Sequence, residues 1–137
     1  MSNMVGQQID NYRLDALLGE GGMGAVYRAL DLNLNRPVAL KVMHGQLARQ
    51  SEFQKRFMQE AQAAARLNHP SIVNIYHFGA RPDFLYMVME FIPGLSLGAT
   101  IRRLQQTGQV IEIRETLSIL AQVADALNYA HKQGIVH

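Results

Sequence analysis

From Tyr12 the chain alternates apolar and polar side chains. Tyr12, Leu14, Ala16 and Leu18 fall on one face, and Arg13 and Asp15 on the other. That period of two is the mark of a half-buried strand. Gly19, Gly21, Gly22 and Gly24 punctuate the pattern before a β-rich segment over residues 25–30 resumes it. Residues 31–37 read as a turn and residues 38–43 as a third strand. Strand, glycine loop, strand and strand in close succession predict an antiparallel sheet. The period then changes. Over residues 51–68, Phe53, Phe57, Ala64 and Leu67 form a helical stripe, with Ser51 placed as the N-cap and His69-Pro70 as the stop. Residues 72–78 and 84–90 predict two more strands around a turn at residues 79–83. After Pro93-Gly94 the pattern is helical, first over residues 97–106 and then over residues 114–133. In the second helix Leu117, Leu120, Val123, Ala124, Leu127 and Ala130 make a wide apolar stripe that Gly134 closes. The expected class is α+β. Residues 1–10 are a polar lead-in, residues 11–92 a small sheet-and-helix lobe, and residues 93–137 the helices beyond it.

Composition narrows the field. At 137 residues, 48% hydrophobic and 18% charged, the chain has enough apolar surface for a core and is not dominated by disorder. With no cysteine, thiolate zinc sites, disulfides and cysteine nucleophiles are excluded. The sequence pI of 9.2 rests on a surplus of two positive charges without any basic run, so nucleic acid is not an expected partner. The densest apolar run, residues 84–92, is nine residues long and interrupted by Glu90, well short of the roughly 20 needed to span a bilayer. Residues 1–10 lack the basic and apolar blocks of a secretory signal. These absences set the expectation of a cytoplasmic location, with a membrane anchor elsewhere in a longer protein left open.

Five segments carry candidate chemistry. Gly19-Glu20-Gly21-Gly22-Met23-Gly24-Ala25-Val26 is a G-x-G-x-x-G-x-V string. Its glycines let backbone N–H groups approach phosphate oxygens closely. A dinucleotide-binding turn requires a helix directly after the glycines, whereas a strand follows here; a P-loop requires Gly-Lys-Ser/Thr, which is absent. A ligand-free hairpin also fits the string. In Val38-Ala39-Leu40-Lys41 the small Ala39 and the cation Lys41 share a strand face. This pairing suits a flat ring beside phosphates, although a solvated lysine at a strand end is the common alternative. Glu60 fills a gap in the helical stripe between Phe57 and Ala64. A carboxylate there either reaches solvent or meets a buried cation, and Lys41 is the candidate partner. The strand ending Met89-Glu90-Phe91-Ile92 runs into Pro93-Gly94, where free backbone groups could bond a planar ligand. The terminal segment ends in His137, which has no partner for a metal site or a catalytic triad.

Taken in order, these segments resemble the protein kinases, and within them the bacterial serine/threonine kinases of eukaryotic type. The string from Gly19 to Val26, Val38-Ala39-Leu40-Lys41, Glu60, His69-Pro70-Ser71-Ile72-Val73, Val88-Met89-Glu90-Phe91 and Gly134-Ile135-Val136-His137 all fall in family order from about Ile9 onward. The resemblance implies a kinase N-terminal lobe, with a five-stranded antiparallel sheet and one main helix, followed by the first two helices of an incomplete C-terminal lobe. It implies that Gly19 to Val26, including Glu20, Gly21, Gly22, Met23, Gly24 and Ala25, cover the phosphates of ATP. Leu18, Val26 and Ala39 would sandwich the adenine, and Lys41 would hold the phosphates under orientation by Glu60. Met89 would be the gatekeeper; the Glu90 carbonyl and the Ile92 N–H would read the adenine edge. Ala64 and Ile75 would stack behind Glu60, and Ser96 would lie near the ribose.

The same resemblance sets limits. His137 would open the His-Arg-Asp loop, and the catalytic Asp and the Mg2+ ligands of the family would come after it. The implied activity is transfer of a phosphoryl group from ATP to a Ser or Thr hydroxyl of a protein substrate by the parent protein, with the 137 residues alone inactive. A pseudokinase-like module that binds nucleotide or a partner, and a small-molecule kinase, are the competing readings. The stripe on residues 114–133, without the cover it has in the family, implies self-association through that helix.

Overall fold

A computed structural model of the chain describes residues 4–21, 24–44 and 50–136. They form two compact units: residues 1–68 with 73–91, and residues 69–72 with 92–137.

The first unit is a six-stranded antiparallel sheet in the order β1-β2-β3-β4-β6-β5. The strands are β1 Gln8–Ile9, β2 Tyr12–Gly21, β3 Gly24–Asp31, β4 Arg36–His44, β5 Ile75–Ala80 and β6 Phe84–Glu90. Alternation decides which face is dry. In β3, Ala25, Tyr27 and Ala29 are buried, and they meet Val38, Leu40 and Val42 of β4 and Tyr86 and Val88 of β6 in one core. The sixth strand corrects the sequence expectation. Within the supposed polar lead-in, Ile9 pairs with Tyr12, and both Met4 and Ile9 are buried over the core. Two apolar residues among polar ones give no periodic signal, yet they cap the open end of a sheet.

Two irregularities in β2, between Leu14 and Ala16 and between Leu17 and Gly19, break the simple alternation. Leu14 is fully buried, whereas Leu17 and Leu18 are exposed. A bulge shifts the pleat by one residue, so side chains beyond it change face. The strand also continues through the glycines: Gly19 pairs with Val26 and Gly21 with Gly24. Gly24 adopts a φ of +153°, and a Cβ there would lie 2.0 Å from the Val42 carbonyl oxygen. Only glycine permits this backbone-on-backbone approach.

Two polar anchors fix the loops of this unit. The buried Asp31 carboxylate accepts hydrogen bonds from Asn11 Nδ2 at 2.8 Å and from the Asn33 and Leu34 N–H groups at 3.0 and 3.2 Å. Burial by itself pushes this carboxyl up, but those three bonds and the Arg36 charge outweigh it and hold it below the usual range. Asp10, at a φ of 50°, bonds both Arg81 and the Tyr86 hydroxyl, clasping the N-terminal segment to the β5–β6 hairpin. Burial raises the Tyr86 phenol, and Arg81 partly offsets that.

Helix α1, Ser51–Ala65, lies against the sheet through Phe53 and Phe57, which pack on Met43, Leu85 and Phe78. Its N-cap position is Gln50, without a side-chain cap bond, so Ser51 is the first helical residue and not the cap. The helix ends earlier and β5 starts later than the sequence predicts. Residues 69–72 form a turn in which Ser71 N–H donates to His69 Nδ1 and Ile72 N–H to the His69 carbonyl.

The second unit contains that turn with helices α2, Leu97–Gln106, and α3, Ile113–Lys132. Ser96 caps α2 by accepting from the Ala99 N–H. Gly134, at a φ of +77°, ends α3: its N–H reaches the His131 carbonyl while the Ile135 N–H reaches that of Ala130. His69 Nε2 lies 2.8 Å from an Asp125 carboxylate oxygen, and its ring packs near Tyr129. Ala126 and Ala130 are the buried positions of α3, whereas Leu117, Leu120 and Val123 remain exposed. Leu97, Ile101, Leu104, Val110, Ile119 and Leu120 line a groove of about 340 Å³ between the two helices. Among the described residues no helix is long and apolar enough to cross a membrane.

Candidate functional site

Directly opposed residues of antiparallel strands present their side chains on the same face. The register therefore places Val26, Lys41 and Met87 in one row, and Arg28, Ala39 and Met89 in the next. This is the sheet face opposite the core of Leu40, Val42 and Val88. α1 covers the end of that face at Met43 and Leu85. Ala39 is buried, and Val26, Lys41 and Met89 are half-buried. A short apolar wall thus surrounds one ammonium group.

The glycines of β2 border this wall. Gly19 is the cross-strand partner of Val26. A Cβ on Gly19 or Gly21 would meet nothing within 4 Å, and neither residue needs a left-handed φ. Glycine in a strand interior costs roughly 0.5–1 kcal/mol relative to alanine. The fold demands Gly24 but neither of these two. Glu20 beside them is exposed, as is Leu18 at 50%. Gly22 and Met23 lie outside the described residues, as does His137.

For three of the expected site residues the structure adds a placement that the sequence did not indicate. Ala25 does not line this face; its side chain is 2% exposed in the core on the other side, because it alternates with Val26. Ser96 has its hydroxyl engaged in capping α2. Lys41 and Glu60 are not brought together: Glu60 is exposed, and no ion pair joins the two. The reason is the roll of α1. The helix buries Ala61 and turns Met58, Ala61, Gln62 and Ala65 toward Ile75–Phe78 of β5. Glu60, some 100° around the helix from Ala61, is carried to the solvent edge. A carboxylate without a partner is cheaper there than under the sheet. Ala64 and Ile75 are half-buried.

The end of β6 is held by residues that sequence reasoning missed. Asn74 N–H and Nδ2 both donate to Glu90 Oε2, at 3.3 and 3.1 Å, and the Glu90 N–H donates to the Asn74 carbonyl at 2.9 Å. Arg28 lies over the Phe91 ring, 5.6 Å from its centroid. A signal for Asn74 was present, since it is a lone amide between Val73 and Ile75. Ile92, in the second unit, is 57% exposed, and its N–H makes no hydrogen bond among the described residues. No cluster of His, Asp or Glu that could hold a metal ion occurs among the described residues.

Residues 12–137 match the model of the protein kinase domain. The chain belongs to the protein kinase family. Similar proteins include a probable serine/threonine-protein kinase of Clostridium acetobutylicum, 41% identical over 135 residues covering 98% of this chain and 20% of the relative. The kinase PknB of Mycobacterium tuberculosis is 41% identical over 132 residues, 93% of this chain and 20% of the relative. PrkC of Bacillus subtilis is 38% identical over 135 residues, 98% of this chain and 20% of the relative. Among solved structures, the PknI kinase domain of M. tuberculosis superposes with a TM-score of 0.85 at 31% identity, covering all of this chain and 55% of that one. This kinase chain therefore spans about one fifth of the length of its curated relatives and about half of the solved kinase domain. Its sheet and helices correspond to the N-terminal lobe and the start of the C-terminal lobe of that fold, with six strands and not the five expected.

Proposed function

We propose that this chain is the nucleotide-binding part of an ATP-dependent serine/threonine protein kinase. The observation that carries the reading is the open space at Gly19 and Gly21, beside a wall that holds the ammonium group of Lys41, which has no ion-pair partner among the described residues. Glycines whose missing side chains the fold does not need leave the strand open to the close approach of a phosphate chain. Ala39 and Val26 offer a flat apolar seat for the adenine, and Lys41 lies on the same face to meet phosphate oxygens. ATP, when bound, supplies the phosphoryl group; the residues here bind and orient it. The metal ligands of the family are expected beyond residue 137, and nothing in the described residues substitutes for them. Phosphoryl transfer to a protein Ser or Thr is accordingly a property of the longer parent.

The rolled α1 fits a resting arrangement. In active kinases the β-strand lysine is paired with the helix glutamate. A rotation of α1 of about 100° would exchange Ala61 for Glu60 at the sheet. Self-association through the exposed face of α3 is a second part of the proposal, supported by Leu117 at 60%, Leu120 at 58% and Val123 at 49% exposure.

Binding of ATP by the chain, followed by calorimetry, tests the reading. Gly19→Val and Gly21→Val should weaken ATP at least tenfold while leaving the thermal midpoint within a few degrees. Lys41→Ala should weaken ATP far more than adenosine. Wild-type affinity in all three variants would refute the assignment.

A further inference from the structure

We infer that Asn74 is a positioning residue for adenine recognition, acting through Glu90. The inference rests on the nucleotide reading above and assigns a role to a side chain outside the wall itself.

Glu90 is the last residue of β6 and sits one step beyond the final registered pair of β5 and β6, Ile75 with Met89. A strand frays at such a point unless something closes it. Here the closure is reciprocal. Asn74 gives two donors to one carboxylate oxygen of Glu90 and takes the Glu90 N–H on its own carbonyl. Bonds to an ionised acceptor are roughly twice as strong as neutral ones. The arrangement uses both the amide side chain and the backbone of Asn74, so an apolar residue would leave the carboxylate short of a donor. Glu90 opposes Val38 across β4, so its side chain belongs to the face away from Ala39, Lys41 and Met89. The acid is thereby folded back onto Asn74, just before β5, and kept away from the seat proposed for the ring and phosphates. The next residue, Phe91, is held from the other flank by Arg28, whose cross-strand partner is Ala39. The last residue of β6 is thus tied to Asn74, and the residue after it to Arg28 of β3. The Glu90 carbonyl, proposed to read the adenine edge, belongs to this fixed residue.

A simple end-of-ladder staple would contribute to stability alone. A positioning residue changes how well the base is held and leaves the phosphate contacts alone. The test is to titrate ADP and inorganic tripolyphosphate, separately, into the full chain and its variants by calorimetry. Asn74→Ala removes only the Nδ2 donor; it should weaken ADP roughly fivefold to tenfold and leave tripolyphosphate unchanged. Asn74→Asp has the same volume but sets a second carboxylate against Glu90 Oε2, and it should weaken ADP at least as much, which keeps the test valid if the alanine variant unfolds. Glu90→Ala should itself weaken ADP, and adding Asn74→Ala to it should cost little more, since the second residue acts through the first. Unchanged ADP affinity in both Asn74 variants, equal weakening of both ligands, or additive losses in the double variant would each overturn the inference. A wild-type chain that binds neither ligand would overturn the nucleotide reading itself.

Discussion

Replacing Gly24 by alanine isolates the one glycine of the string that the fold itself requires. Two costs add. The backbone at Gly24 holds a φ of +153°, a region that L side chains rarely occupy, and forcing one there costs about 1–3 kcal/mol. The new Cβ would also lie 2.0 Å from the Val42 carbonyl oxygen and 3.0 Å from the Met43 Cα. Both atoms are backbone of β4, so no flexible side chain can swing aside. Relief means parting β3 from β4 beside the Ala25–Val42 and Val26–Lys41 pairs. Overpacking of this kind typically costs a further 1–3 kcal/mol. The expected loss is about 3 kcal/mol or more, or a fall of roughly 10 °C in the unfolding midpoint. Gly21→Ala is the internal control: it has open space and no left-handed φ, and should be neutral or slightly stabilising. Urea and thermal unfolding followed by far-ultraviolet circular dichroism measure both. If Gly24→Ala stayed within about 0.5 kcal/mol of wild type, or if Gly21→Ala lost as much, the division of labour among the glycines would be wrong.

Asp31 predicts a pH dependence. Its folded carboxyl is held below the usual value, so its contribution is present above pH 3.8 and is lost as pH falls through the lower folded value. Asp31→Asn should cost about 1–3 kcal/mol at neutral pH, and its urea midpoint should converge on wild type in acid; an offset that does not change with pH would refute this. The proposed self-association predicts concentration-dependent sedimentation of the chain, abolished by Leu120→Glu. A wild-type monomer at every concentration would remove that part of the proposal.

Much of the fold is legible locally. Period-two alternation located β2, β3, β4 and β6, and a period of 3.6 located the helices, because those spacings follow from backbone geometry alone. Glycine chemistry marked the β2–β3 turn and the end of α3, where a positive φ at Gly134 is required. The bond between Glu90 and Asn74 was not legible, since it joins residues 16 apart in sequence. Nor could alternation by itself place Met4 and Ile9 over the core, where a two-residue strand is held by what lies beneath it.

The sequence by itself therefore determined which residues share a face: Ala39 with Lys41 on β4, and Phe53 with Phe57 on α1. The tertiary structure decided which faces are buried and which groups meet. Helical spacing leaves Glu60 and Ala61 both near the apolar stripe, and only packing against β5 selects Ala61 for burial and Glu60 for solvent. The physical reason is that a period fixes angles around an element's own axis. The rotation of that axis against its neighbour depends on side chains far away in the chain, and on whether a charge finds its partner there.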